Sequence, residues 1–151
     1  MILLLQRVSR AAVRVAGGTV GEIGAGLLAF ACVEPGDGPD AMDEAARKTV
    51  ELRVFEDANG KMNLDVTQSG GAVLAVSQFT LGADLSRGRR PGFEGAARPE
   101  EARPLFGRYV AALRASGVKV ATGSFGAMME VELVNDGPAT FTWRTRRKDL
   151  V

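Results

Sequence analysis

Two uninterrupted apolar runs set the terms on which this chain can fold. Leu27 to Val33 and Ala72 to Val76 contain no polar residue. A strand that is apolar on both faces must be covered on both faces, so each run reads as a central strand of a sheet. Gly24-Ala25-Gly26 and Gly70-Gly71 punctuate their starts. Helical segments can supply the cover. Pro39 is placed to open the first, and Met42, Ala45, Ala46, Thr49, Val50 and Arg53 approximate its inward stripe. Asp40, Asp43 and Glu44 suit the positive end of its dipole, which accounts for them better than a metal site does. Pro99-Glu100-Glu101 opens the second helix. It runs to Ser116 and stops at Gly117, with Leu105, Phe106, Tyr109, Val110 and Leu113 facing the core.

The remaining periodic sequence is β-type. Ile2 to Val15 reads as strand, and Gly17-Gly18 turns it into Thr19 to Ile23. Val118 to Thr122, Met128 to Val134 and Ala139 to Trp143 read as three closing strands. Between the last two stands Val134-Asn135-Asp136-Gly137-Pro138-Ala139-Thr140. Asn-Asp-Gly is turn chemistry and Pro lacks a backbone donor, so the stretch reads as a hairpin turn. Its Gly-Pro bond can be cis at a cost of only about 0.5–1 kcal/mol. The expected fold is a single α+β domain, two helices against a largely antiparallel, curved β assembly. A chain of 151 residues suffices for one such core.

Composition narrows the chemistry. There is no histidine, and Cys32, inside an apolar run, is the one cysteine. Disulfide frameworks, Cys/His zinc sites and Ser-His-Asp or Cys-His nucleophiles are thereby excluded. Cys32 reads as a buried, inert thiol. Neither a cofactor nor a metal is expected. Lys+Arg is 19 against Asp+Glu 18, so any basic surface must be local. Met1 to Leu5 is apolar but is cut off by Gln6 and Arg7, too short for a secretion signal or a membrane span. A cytoplasmic protein is expected.

Two other stretches stand out. The strand Ala72 to Val76 ends abruptly in the polar Ser77-Gln78-Phe79-Thr80, and ligand sites of layered α/β proteins often lie past such ends. From pattern alone, a strand running into a Ser/Thr loop is the plainer account. Gly82 to Arg98 is the longest segment without periodicity and carries Arg87, Arg89, Arg90 and Phe93. Guanidinium groups beside an aromatic ring suit phosphate contact and base stacking, although a solvated charge run has the same composition. Residues 145–151 form a basic tail with Arg144 at its root, read as frayed.

Together, Ser77-Gln78-Phe79-Thr80, Arg87-Gly88-Arg89-Arg90-Pro91 and Asn135-Asp136-Gly137-Pro138-Ala139-Thr140 resemble the D-aminoacyl-tRNA deacylase family. Leu5-Gln6-Arg7-Val8-Ser9, Phe55-Glu56-Asp57 and Gly60-Lys61-Met62-Asn63 extend the likeness over nearly the whole chain, in order. The resemblance implies a layered β/β/α homodimer that hydrolyses the ester between a D-amino acid and the 3′-terminal adenosine of tRNA. It further implies acceptor-stem contact, glycyl-tRNA as a second substrate, and neither DNA nor a membrane as partner. Ser77 to Thr80 would be the catalytic stretch. Gly137-Pro138 would be cis and enter the partner subunit's site, held by Arg7, lined by Met129 and supported by Asn135, Asp136 and Thr140. Arg87, Arg89, Arg90 and Phe93 would contact tRNA. Without a base for the Thr80 hydroxyl, backbone N–H groups near Phe79 and Thr80 are the better account of catalysis, with Thr80 as nucleophile the alternative. The chain departs from the family pattern at Gly92-Phe93-Glu94, where Ser-Phe-Thr is common, and in its basic tail.

Overall fold

The computed structural model describes residues 1–145. In chain order its elements are β1 (Ile2–Val15), β2 (Gly18–Ile23), β3 (Gly26–Cys32), α1 (Pro39–Glu51), the short strands β4 (Phe55–Glu56) and β5 (Met62–Leu64), β6 (Ala72–Ser77), α2 (Pro99–Ala115), β7 (Lys119–Thr122) and β8 (Glu130–Arg144). Both helices begin at the prolines that sequence placed there, and Gly117 at φ 89° follows the second. The helix-1 stripe holds through Met42, Ala45, Ala46 and Thr49. Arg53 lies beyond the helix end and donates instead to the Asn63 carbonyl at 2.7 Å.

β1 is the axis of the six-stranded sheet. Its first half pairs with β3, its second half with β2, and β8 runs antiparallel along its opposite edge. The β1–β2 connection turns on Ala16 and Gly17, at φ 49° and 80°, as a right-twisted two-residue hairpin requires. β6 and β7 continue the sheet beyond β3 in parallel. Parallel neighbours need a crossover, and α1 and α2 supply one each. Antiparallel contacts make up four of the six strand pairings described, in line with the expected assembly. The sheet curls until β2 meets β7: a Cβ on Gly21 would lie 2.1 Å from the Thr122 carbonyl oxygen.

Alternation on the central strands separates two buried clusters. Leu27, Ala29, Ala31, Val73 and Ala75 pack beneath both helices with Met42, Phe106, Tyr109 and Leu113. Leu28, Leu74 and Val76 face the other way, into a cluster with Val8, Ala11 and Val13. Where the helices cross, the Tyr109 and Thr49 hydroxyls bond at 2.9 Å, and burial pushes the Tyr109 phenol well above its ordinary pKa.

One sequence reading is corrected. Met128–Val134 and Ala139–Trp143 are not two strands around a hairpin; from Glu130 on they are parts of the single strand β8. Both parts pair antiparallel with β1, so the chain never reverses at Asn135 to Thr140. A second correction concerns Arg144 and Thr145, read as the root of a frayed tail. The Thr145 amide donates to the Met1 carbonyl at 3.0 Å, and the Arg144 guanidinium grips the buried Glu34 carboxylate. The rest of that tail lies outside the described residues.

Glu34 also accepts from the Met1 α-ammonium at 3.0 Å, which in turn meets Asp37 at 2.7 Å. Burial alone would raise the Glu34 pKa, but the bonds from Arg144 and the α-ammonium outweigh it and hold the carboxyl below its usual range. The folded protein therefore binds this proton less readily than the unfolded chain. Its stabilisation is complete above the ordinary carboxylate pKa and is lost as pH falls through the depressed folded value. Glu34→Gln should lower stability near neutrality by roughly 1.5–3 kcal/mol, the size of a hydrogen bond between charged partners. It should also flatten the acid limb of stability against pH, read as denaturant midpoints across the acid range. A variant with an unchanged acid limb would contradict this.

Candidate active site

β6 ends at Ser77, and the chain enters a tight 3-10 turn, Phe79–Gly82. The Gln78 amide is taken by the Ala31 carbonyl at 2.8 Å, which keeps the turn against the end of β3. Within the turn, the first bonded donor is the Leu81 amide, to the Gln78 carbonyl at 3.2 Å. The amides of Phe79 and Thr80 precede it, so neither has an acceptor in the turn. Beside them opens a cleft of about 720 Å³. Ser77, Gln78, Phe79 and Thr80 form one wall, Phe93 and Ala96 to Arg98 another, and Phe125 to Met129 with Val131 the third. Gln78 Nε2 donates to the Thr80 hydroxyl oxygen. Cys32 also reaches the cleft, but its thiol faces the Val33 and Phe79 carbonyls at 3.5 Å, and burial raises its pKa. The burial agrees with the sequence reading.

The aperiodic segment is a loop with a defined base. Asp84 and Gly92 exchange backbone hydrogen bonds of 2.8 and 3.0 Å, and the Asp84 carboxylate receives the Ser86 amide at 2.9 Å. Bonds from Ser86 hold that carboxyl below the usual range. Arg87, Arg89 and Arg90 project into solvent beyond this base. Phe93 returns over the cleft, its ring meeting that of Phe79 edge-on at 5.2 Å and 66°. These rings are 41% and 55% exposed, too open for core packing. They form a lip.

The Asn135 to Thr140 stretch is a protrusion from the β1–β8 ladder. Gln6 pairs with Thr140 and Val8 with Asn135, so Arg7 alone stands opposite the four residues Asp136 to Ala139. The excess residues bulge outward, and Gly137 and Pro138 are exposed, joined by a cis bond. Arg7, 6% exposed, donates through Nε to the Asp136 carbonyl at 2.8 Å and through Nη1 to the Val54 carbonyl at 2.6 Å. The Asn135 amide donates to the Arg7 and Ala139 carbonyls, both at 3.0 Å, and Gln6 Nε2 reaches the Thr140 hydroxyl at 3.1 Å. Glycine is needed at Gly137, because a Cβ there would lie 2.3 Å from both Asn135 Oδ1 and the Ala139 nitrogen.

Within one chain, then, the predicted residues fall into three groups, one of them the solvent-facing Arg87, Arg89 and Arg90. Ser77 to Thr80, Phe93 and Met129 share the cleft. Arg7, Asn135, Asp136, Gly137, Pro138 and Thr140 are not among its lining residues and belong to the β1–β8 seam. Sequence reading missed Arg98 and the wall from Phe125 to Met128. Met128 is 92% exposed, and Arg103 lies over the Phe125 ring at 4.7 Å to its centroid. Neither carried a motif, although an exposed Phe-Gly-Ala-Met-Met run between strands is an available signal.

This pairing of a strand-end cleft with a glycine-proline protrusion is the arrangement to set against known proteins. The family model for D-Tyr-tRNA(Tyr) deacylase matches residues 4–144, and the chain belongs to that family. A D-aminoacyl-tRNA deacylase of Symbiobacterium thermophilum is 58% identical over 137 residues, covering 91% of each chain. One from Shewanella sp. strain MR-4 is 56% identical over 141 residues, 93% of this chain and 97% of that one. The solved structure of a c-Myc DNA unwinding element binding protein superposes with TM-score 0.91 at 33% identity, covering 97% of this chain and 100% of that one. Among the described residues, no helix is long and apolar enough to cross a membrane.

Removing the Arg7 side chain leaves the Asp136 carbonyl of the seam and the Val54 carbonyl after α1 without their donor. Arg7→Met should therefore cost about 1–3 kcal/mol for each carbonyl left unsatisfied. Amide exchange should speed up at Val8 and Ala139 more than in α1. Uniform loosening of the whole chain would argue against a local anchoring role.

Proposed function

We propose that this chain is a D-aminoacyl-tRNA deacylase: it hydrolyses the ester between a D-amino acid and the terminal adenosine of tRNA, releasing the amino acid and free tRNA. The observation that carries the reading is the pair of amides at Phe79 and Thr80, unbonded within their turn and belonging to residues that line a cleft, in a chain without histidine. An aminoacyl ester is already activated. Water adds to its carbonyl, the two amides stabilise the oxyanion, and the bond to the 3′-oxygen breaks as that oxygen takes up a proton. One such donor contributes about 2.7–4 kcal/mol to the barrier. The neighbouring ribose 2′-hydroxyl assists the water, so the RNA supplies the base that the protein lacks. Thr80 is the weaker candidate for nucleophile. It has no histidine to deprotonate it, and its oxygen already accepts a hydrogen bond from Gln78.

The working unit in this reading is a homodimer in the cytoplasm. Gly137 and Pro138 of each subunit enter the other's cleft, beside Met129, and present their carbonyls to the chiral centre. The fit of this motif to the role lies in its rigidity: it is exposed, free of side-chain bulk at Gly137, and anchored through Arg7 and Asn135. Fixed carbonyls reject an L side chain by clash and never grip the D side chain. Many D-amino acids, and glycine, are then accepted. Arg87, Arg89 and Arg90 contact acceptor-stem phosphates, so tRNA binding weakens with salt.

Pure protein without added metal should release tyrosine from D-tyrosyl-tRNA far faster than from L-tyrosyl-tRNA. Equal rates, or none, would remove the enzyme assignment, and tRNA binding without turnover would leave a non-catalytic RNA-binding module. A folded Thr80→Ala variant should keep turnover within about tenfold of the parent, since no backbone donor is lost. Abolished turnover in that variant would restore the hydroxyl as nucleophile.

A further inference from the structure

On the far side of Phe93 lies a second cavity, of about 760 Å³, which the function above leaves unused. Phe93, Ala96, Ala97 and Arg98 line both it and the cleft, so one thin wall divides them. Its other charged groups are Glu94 and Glu101. Among the described residues, Glu94, Arg98 and Glu101 enter none of the ion pairs. The Glu94 carboxylate folds back against Gly92. A Cβ on Gly92 would lie 2.7 Å from Glu94 Oε2, so the missing side chain at Gly92 is what gives the carboxylate its place.

A carboxylate repels phosphate, so beside an RNA path it is better placed facing a base edge. There it accepts from an exocyclic amine. Cytosine presents such a donor at N4 beside acceptors at N3 and O2, which suits a cavity lined by both a carboxylate and a guanidinium. Uracil turns a carbonyl toward the same position. The exposed face of Phe93 offers a stacking surface for the ring.

Resting on the deacylase reading, we infer that this second cavity is a base-reading subsite for the nucleotide preceding the terminal adenosine, a cytidine in tRNA. Glu94 accepts from its N4 amine, Arg98 donates to its N3/O2 edge, and Phe93 separates it from the adenosine in the cleft. Glu94 and Gly92 thus act as specificity residues for the RNA end and take no part in the ester chemistry.

The test uses RNA hairpins chemically acylated with a D-amino acid and ending in either C-A or U-A, with kcat/KM measured for the full-length protein. The parent should favour the C-A end about tenfold, the scale of a single base-edge contact. The preference should reside in KM. Glu94→Gln, whose amide can serve either base, should bring the ratio near one, and Gly92→Ala, which displaces the carboxylate, should do the same. Equal parent rates on both ends, or a preference that survives both substitutions, would overturn the subsite. Absence of turnover on the C-A hairpin itself would instead count against the deacylase assignment, so the two failures are distinguishable.

Discussion

The structure depends on how β1 and β8 share a ladder of unequal length. β1 is the strand on which everything else is registered, carrying β2 and β3 on one edge and β8 on the other. Two strands of equal length in continuous register would leave no protrusion. Here four residues of β8 stand against Arg7, and the surplus must leave the sheet. Register on either side is held because Leu3 and Leu5 before Arg7, and Val8, Ala11 and Val13 after it, point into buried clusters; a one-residue slip would turn them to solvent. The bulge is therefore fixed by burial at both ends, and Arg7 and Asn135 supply the hydrogen bonds that its backbone would otherwise lack.

The cleft follows from a different constraint, the parallel pairing of β3, β6 and β7. Parallel strands aim their carboxyl ends the same way, and the chain leaving β6 must turn aside before it climbs into α2. The resulting 3-10 turn is too short to satisfy its own first amides. In most proteins such donors bond to water or to a cap. In the proposed deacylase, such donors at the edge of the cleft act as a preorganised anion site, whose electrostatic value rises as a bound substrate excludes water. The same geometry leaves the Thr80 hydroxyl without a base. A cleft whose lining offers dipoles but neither carboxylate nor histidine is suited to substrates that need little activation.

Much of this was legible in the sequence, for identifiable reasons. The central strands and both helices announce themselves because burial on two faces, and proline or glycine at helix ends, leave local signatures. The abrupt change from Val76 to Ser77 marked the cleft. The hairpin at Asn135 to Thr140 was misread because turn chemistry is local, while the choice between a reversal and a bulge is made by pairing with β1, more than a hundred residues away along the chain. Glu34 gave no sign of its role either. Its partners, Met1, Asp37 and Arg144, meet only once β1 and β8 lie side by side. The cleft wall at Phe125 to Met128 was passed over because a loop without charge or motif carries no chemical label.

The seam and the cleft constrain each other through Met129. It stands one residue before β8, lines the cleft, and receives the Ser124 amide on its sulfur at 3.4 Å. Val131 follows it into both the cleft wall and the buried cluster beneath β1. The strand that carries the protrusion is thus the same strand that closes the cleft, and one register serves both. A shift of β8 along β1 would displace the Gly137 carbonyl and reshape the pocket in the same movement. Backbone pairing thus sets the protrusion and the cleft wall of one chain together, and it tolerates change in their side chains but not in their spacing.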